Sequence, residues 1–258
     1  MKSIYQALIF LMVVLYLACG SLALGQTYAV DNSYKKWSKK DVERVLNDSP
    51  WVSVQEVRIR REGTDQRVAG GPPSLTRDET NSVASAGSDI PVDFIFTLRL
   101  RSALPIREAI VRQKQLDAKY DSMEEKQKAA FDASVKGLLE CPACAGNYVL
   151  TLSSKSKNSP GADAVYTTFK GARIEDIKRY IYLANERGER RELVHFVAPR
   201  APGEDAVFFF SRVDEKGKQL FGPDSKEVVV NLTNNEVNTS TNFRFDISKL
   251  ISNGQVIF

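Results

Sequence analysis

The amino-acid sequence predicts an α+β fold with a mostly antiparallel sheet, several packed helices and one long flexible loop. Short segments in which apolar and polar residues alternate indicate strands, and short turns join several of them. Helical segments are grouped before and between these strands. Residues 62–89 are rich in Gly, Pro, Ser, Thr and Asp and poor in aromatic residues, which is typical of a long loop.

The first residues of the chain indicate export. Lys2 precedes a short apolar run over residues 7–18, and small residues follow at the positions that a signal peptidase reads, within residues 23–25. We therefore predict a signal peptide over residues 1–25, and a periplasmic or secreted chain with no transmembrane segment. Two alternatives stay open, an uncleaved N-terminal anchor and a lipoprotein anchored through Cys19.

A single α+β domain is predicted over residues 37–258, after an extended lead-in over residues 26–36. In the segment "WSKKDVERVLNDSPW", Ser38 can cap a helix and Asp41 can close its capping box, and Pro50 marks the end of that helix. The spacing of apolar residues predicts further helices over residues 105–116, 122–139 and 173–187.

Strands are predicted wherever short alternating or apolar segments lie between turn residues. The "APGED" and "EKGK" segments predict hairpins that join "RELVHFVAP", "AVFFFSRVD" and "KEVVVNLT" in turn. The Asn253-Gly254 pair predicts a turn into a final strand. In chain order the predicted strands are "VSVQEVRIRR", "VDFIFTLRLRS", "NYVLTLSS", "RELVHFVAP", "AVFFFSRVD" and "KEVVVNLT".

The stretch "ECPACAGN" places Cys141 and Cys144 after a predicted helix and before a predicted strand. Thioredoxin-type pairs instead open a helix, whose amino end lowers the pKa of the thiol, whereas the carboxyl end raises it. A closed zinc site needs four ligands, and the predicted mature chain offers these two cysteines and one histidine, His195. We therefore predict a structural disulfide and neither a metal site nor a cofactor. A redox-active pair and a mixed metal site are the alternatives.

Two strands carry arginine at alternate positions, Arg58 and Arg60 in "VRIRR" and Arg99 and Arg101 in "LRLR". Because like charges that face each other across strands are destabilising, either acidic side chains or a bound anion must neutralise them. A solvated face neutralised by acids is one hypothesis. The other is an anion-binding patch for phosphorylated or sulfated envelope material.

The sequence gives little support for a hydrolase or for a nucleic-acid-binding protein. A base-assisted nucleophile would have to use His195, and no G-x-S-x-G motif is present. The alternative is that His195 has no catalytic role and is a half-buried histidine or one on an edge strand. The chain has 36 Lys and Arg against 32 Asp and Glu, a formal net charge of +4, and so mild a surplus does not indicate a nucleic-acid partner.

The segment from Trp37 to Val42, the "SPW" stretch that follows it, "LLECPAC" and "NYVLTLSS" resemble secreted bacterial proteins of uncharacterised function. This resemblance implies no activity and no site. The residues themselves predict an exported, non-enzymatic protein that binds an unknown partner protein or an anionic envelope component. The alternatives are a thiol–disulfide redox protein that uses Cys141 and Cys144, and a hydrolase that uses His195.

Overall fold

A computed structural model describes residues 32–59, 91–222, 224–234, 239–252 and 255–257. The predicted signal peptide, Cys19, Arg60 and the predicted loop over residues 62–89 lie outside the described residues.

The end of the predicted lead-in is a 3₁₀ helix, Asn32–Lys36, and not an extended segment. Tyr34 in this turn is buried in a small cluster with Val111 and Val135, and its ring meets that of Trp37 edge to face. Burial of this large side chain fixes the local conformation, so a contact with distant residues overrides the extended prediction.

Most of the domain is one antiparallel sheet whose eight strands follow the order β1-β2-β3-β6-β5-β4-β7-β8. Arg244 donates its backbone N–H to Oγ of Ser53 at 3.2 Å, which joins the two outermost strands and leaves the sheet as a nearly closed barrel. The predicted α+β class is therefore correct in outline, but the sheet dominates. The strands are β1 Val52–Ile59, β2 Val92–Leu100, β3 Asn147–Ser156, β4 Ile181–Asn185, β5 Arg190–Val197, β6 Ala206–Ser211, β7 Glu227–Asn234 and β8 Thr239–Asp246, with β9 Ile251–Ser252 and β10 Gln255–Val256 as a separate hairpin.

Five α-helices lie within the described residues, and none of these is long and apolar enough to span a membrane. The first begins with the predicted capping box: Asp41 donates its backbone N–H to Oγ of Ser38, and Ser38 donates its own to the Asp41 carboxylate at 3.0 Å. The helices are α1 Lys39–Asn47, α2 Leu104–Asp117, α3 Glu125–Glu140, α4 Ala164–Phe169 and α5 Ile174–Ile177.

The inner face of the barrel is filled by large side chains. Alternate residues of each strand point inward, and the ring of Tyr148 stacks on that of Phe221 with 4.4 Å between centroids. The interior of the described barrel is therefore a packed hydrophobic core. Its largest fully buried members are Tyr148, Phe208, Phe210, Phe243 and Phe245.

The helix predicted over residues 173–187 is wrong beyond its first turn. Helix α5 ends at Ile177, and the chain then forms β4, which pairs with β5 and β7. The buried residues Ile181 and Leu183 are two positions apart, which also fits the period of a strand. Burial against β7 selects the strand period over the helical one. Gly188 has a φ of +77° and lies in a hairpin turn, not after a helix.

The "EKGK" segment does not join paired strands, contrary to the prediction. Strand β6 pairs with β3 and β5, whereas β7 pairs with β4 and β8. The segment is a local turn in which the Asp214 carboxylate accepts the backbone N–H groups of Lys216 and Lys218, both at 2.9 Å. The "APGED" segment does join a paired couple, β5 and β6.

Candidate functional site

Arg58 is neutralised by an acid on the neighbouring strand. It lies directly opposite Asp93, and its Nε is 2.6 Å from Oδ1 of that carboxylate. The hydrogen bond from Arg58 lowers the pKa of Asp93. Arg99 lies on the same sheet face but opposite Val52, at the other end of the β1–β2 pair, so the two arginines do not form one patch.

Arg99 connects helix α1 to the sheet. Its Nε donates to the carbonyl oxygen of Leu46 at 2.7 Å, and its Nη2 donates to Oδ1 of Asn47 at 3.1 Å. The remaining Nη1 donates to Oγ of Ser153 at 2.8 Å. Burial lowers the pKa of Arg99, and Asp205 opposes that shift. All three nitrogen atoms of this guanidinium are therefore engaged in structural contacts.

Arg101 differs from the other described arginines of the predicted patch. It follows β2 directly, is half-buried, and makes no side-chain hydrogen bond or ion pair with the residues that the structure describes. Burial lowers the pKa of Arg101, and the nearby carboxylate of Asp205 opposes the shift. Its guanidinium therefore keeps donors that the described protein does not use.

Asp205 is the acid that opposes the lowering of the pKa of both Arg99 and Arg101. It is half-buried just before β6, and burial raises its pKa. Arg99 and Arg101 oppose this shift, while Asp163 adds to it. The carboxylate is therefore within electrostatic range of Arg99 in β2, of Arg101 just after β2 and of one further acid, Asp163.

Two further arginines, Arg107 and Arg212, complete the site, and the sequence analysis did not single out either of them. Arg107 on α2 donates Nη1 to the carbonyl oxygens of Leu139 and Glu140, and its Nε is buried without a hydrogen-bond partner among the described residues. Burial lowers the pKa of Arg107; Glu108 opposes the shift, whereas Arg212 and Arg101 increase it. We call Arg99, Arg101, Arg107 and Arg212 the arginine cluster.

The cysteine pair lies beside the arginine cluster. Cys141 ends α3 with a φ of 46°, a 3₁₀ turn carries Cys144, and β3 begins at Asn147. The two sulfur atoms are joined. Arg212 donates Nε to the carbonyl oxygen of Cys144 at 2.9 Å, and Arg107 binds the carbonyls that precede Cys141. Two arginines thus hold the turn from both sides.

His195 lies apart from these residues. It is exposed on β5, and its ring packs against that of Phe209 with 4.9 Å between centroids. No hydrogen bond links it to a serine, threonine or cysteine side chain in the described ranges. In the same ranges, no group of three or more His, Cys, Asp or Glu side chains is placed to hold a metal ion.

Comparison with protein-family models, curated protein sequences and solved structures gives no match for this chain. The fold and the site define a barrel-like α+β protein with a basic, half-buried cluster at the end of β2. Among the described residues, the acids that act on this cluster are Asp205 and Glu108.

Proposed function

We propose that this protein is exported and non-enzymatic, and that its arginine cluster binds an anionic group of a partner protein or envelope component. The observation that carries this proposal is the half-buried guanidinium of Arg101, which has no hydrogen-bond or ion-pair partner in the described chain. The packed interior also supports it, because large side chains occupy the space in which a barrel would hold a ligand.

The chemistry of arginine favours an anionic ligand at this cluster. A guanidinium presents several donors in a planar fork that matches carboxylate and phosphate groups. Arg101 and Arg107 lie within electrostatic range of each other and are both partly withdrawn from water, and Arg101 disfavours the charge of Arg107. A bound anion would relieve that repulsion and use the free donors.

The proposal is tested by retention of the purified, tagged protein on envelope extracts. Arg101→Gln removes the unpaired guanidinium, and we expect it to lose most of the retention. Arg58→Gln is the matched control, because it removes a sheet arginine that Asp93 already neutralises, and we expect retention near that of the wild type. Equal retention by wild type and Arg101→Gln would contradict the proposal.

A thiol–disulfide redox protein that uses Cys141 and Cys144 is the second candidate. Arg107 and Arg212 hold the cysteine turn, and nearby positive charge stabilises a thiolate, against the effect of the α3 carboxyl end. Measurement of the reduction potential and of insulin reduction separates the candidates. A strongly reducing potential without insulin reduction would exclude the redox function.

A further inference from the structure

We infer that the edge of strand β1 binds an extended peptide segment of a partner protein, which adds to the sheet as a strand beside residues 54–58. This edge is separate from the arginine cluster, because Arg101 follows Leu100, which lies opposite Trp51 at the other end of the β1–β2 pair. The inference goes beyond the proposed function, since its ligand is a polypeptide backbone and not an anionic group.

The hydrogen bonds of the sheet show which backbone groups of β1 face away from β2. Leu100 donates its N–H to the carbonyl oxygen of Trp51 at 2.9 Å, and the register continues from that pair along the whole strand without a break. Since antiparallel strands exchange hydrogen bonds at every second residue, the odd-numbered residues of β1 are bonded to β2. The backbone groups that point away from β2 are those of Val54, Glu56 and Arg58.

Strand β8 lies on this side of β1 but does not pair with it, and we call the boundary between the two strands the seam. Ile247 donates its N–H to the carbonyl of Lys226 at 3.0 Å, so the even-numbered residues of β8 point toward the seam. Of these, Arg244 bonds to Oγ of Ser53, and within the described ranges no backbone-to-backbone hydrogen bond joins β1 to β8. The outward backbone groups of β1 beyond Ser53 therefore have no backbone partner in the part of the chain that the structure describes.

An unpaired row of backbone groups is complementary to one kind of ligand, another extended backbone. Edge strands that avoid such partners usually carry a proline, a bulge or an inward-pointing charge, and β1 has none of these. Because β8 bounds the seam at Ser53, a single strand fits beside β1 more readily than the edge of a second sheet. The geometry therefore favours a peptide segment over a second copy of this chain.

Apolar side chains on the inner face near the seam are only partly buried. They are Val57 on β1, Phe96 on β2 and Leu232 on β7. The next inward-facing residues of the latter two strands, Leu98 and Val230, are buried. A peptide with apolar side chains at alternate positions would cover the partly buried residues, and this contact would add hydrophobic stabilisation to its backbone hydrogen bonds.

Charge on the outer face of β1 is already balanced. Nζ of Lys157 lies 2.6 Å from Oε2 of Glu56, and Nε of Arg58 lies 2.6 Å from Oδ1 of Asp93. The remaining outward side chain, Val54, is apolar and exposed. The outward side chains of the peptide therefore need no charge, and its binding should change little with added sodium chloride, unlike anion binding by the arginine cluster.

The test is selection from a phage-displayed library of random linear peptides of about ten residues on the purified protein, followed by fluorescence anisotropy with a selected peptide. We expect sequences that alternate apolar and uncharged polar residues. Glu56→Pro and Glu56→Ala both lose the ion pair with Lys157, but only proline removes the outward N–H, and it leaves the bonds to β2 intact. We therefore expect Glu56→Pro to bind the peptide about tenfold or more weakly than Glu56→Ala.

A second measurement needs no protein variant and applies even where Glu56→Pro does not fold. The selected peptide is N-methylated at alternate backbone nitrogen atoms, in two versions that together cover every position, and at least one version should lose binding. Unchanged binding of both versions, equal binding by the two Glu56 variants or failure of the library to yield a peptide would overturn the inference.

Two further outcomes separate this edge from other binding modes. Loss of peptide binding in Arg101→Gln would place the peptide at the arginine cluster and overturn the inference. A dimer of the purified protein that Glu56→Pro dissociates would also overturn it, since a second copy would then occupy the edge. Neither outcome decides the proposed function, which depends on the envelope retention of Arg101→Gln.

Discussion

Arg99 donates Nε to the carbonyl oxygen of Leu46 at 2.7 Å and thereby ties the end of helix α1 to strand β2. Two residues further along the same strand direction, Arg101 makes no such contact with the described protein. The two arginines have the same side chain and the same position in the "LRLR" repeat. Their surroundings give Arg99 a structural role and leave the side-chain donors of Arg101 unused by the described protein.

The two arginines should therefore differ in their effect on stability. We expect Arg99→Ala to lower the free energy of unfolding by about 2 kcal/mol, because the Leu46 carbonyl and its neighbours lose a charged donor. Arg101→Gln should change it by about 0.5 kcal/mol or less, since no protein contact is lost. Urea denaturation measures both values, and equal losses would contradict the distinction.

Asp205 should make the binding of sulfate, a probe anion for the arginine cluster, depend on pH when it is measured by calorimetry. Burial raises the pKa of Asp205 against the opposing effects of Arg99 and Arg101. As the pH falls through that raised pKa, the carboxylate becomes neutral, the net positive charge beside Arg101 rises, and sulfate should bind more tightly. Sulfate is the better probe because it stays doubly charged, whereas phosphate titrates near neutral pH.

The matched variant for this prediction is Asp205→Asn. It should strengthen sulfate binding at neutral pH by roughly threefold to tenfold and abolish the pH dependence. The neighbouring Asp163 is not expected to replace it as the titrating group. Although burial raises the pKa of Asp163, hydrogen bonds from the backbone of Gly203 and Tyr166 and from Ser154 bring it below the ordinary value. A pH profile unchanged in Asp205→Asn would assign the titration to another group.

Removal of the disulfide should weaken the fold without affecting the ligand site. The bridge between Cys141 and Cys144 closes a very short loop, for which chain entropy gives a stabilisation of about 2 kcal/mol. We expect the double variant Cys141→Ser, Cys144→Ser to lose about that much in urea denaturation and to keep its sulfate affinity. Wild type with and without dithiothreitol is the control, and loss of sulfate binding in a folded, reduced protein would show instead that the bridge positions Arg107 and Arg212 through the carbonyls of the turn.

The packed interior can be tested on the "FFF" stretch of β6. Phe208 is fully buried, whereas Phe209 is only partly buried on the outer face, against His195. Phe208→Ala should therefore lower the free energy of unfolding by about 3–5 kcal/mol, and Phe209→Ala by about 1 kcal/mol. A mild effect of Phe208→Ala would indicate space in the interior, and would weaken the case for a ligand bound outside the barrel.

Much of the local structure follows from short stretches of sequence. The capping box of Ser38 and Asp41 predicts where α1 begins, and the alternation in β1 and β2 predicts both strands. The segment with Cys141 and Cys144 lies between a helix and a strand, as its position in the sequence predicts. Capping residues and hydrophobic periods involve residues that lie close together in the sequence, so a single segment is enough to predict the local structure.

The pairing of strands and the secondary structure of residues 173–187 could not be predicted in this way. The residues of β4 fit a helical period and a strand period about equally well, and only their burial against β7 decides between the two. Likewise, β6 and β7 follow each other along the chain but lie apart in the sheet. Both features depend on contacts between segments that are distant in sequence.

The sequence by itself determined the α+β class, the main helices and strands, and the presence of arginine at alternate positions of two strands. Only the tertiary structure decided that Asp93 neutralises Arg58, that Arg99 holds α1, and that Arg101 comes within electrostatic range of Arg107 and Asp205. The physical reason is that hydrophobic period and capping are properties of neighbouring residues. The burial and charge environment of a guanidinium depends instead on groups that folding brings together from the whole chain.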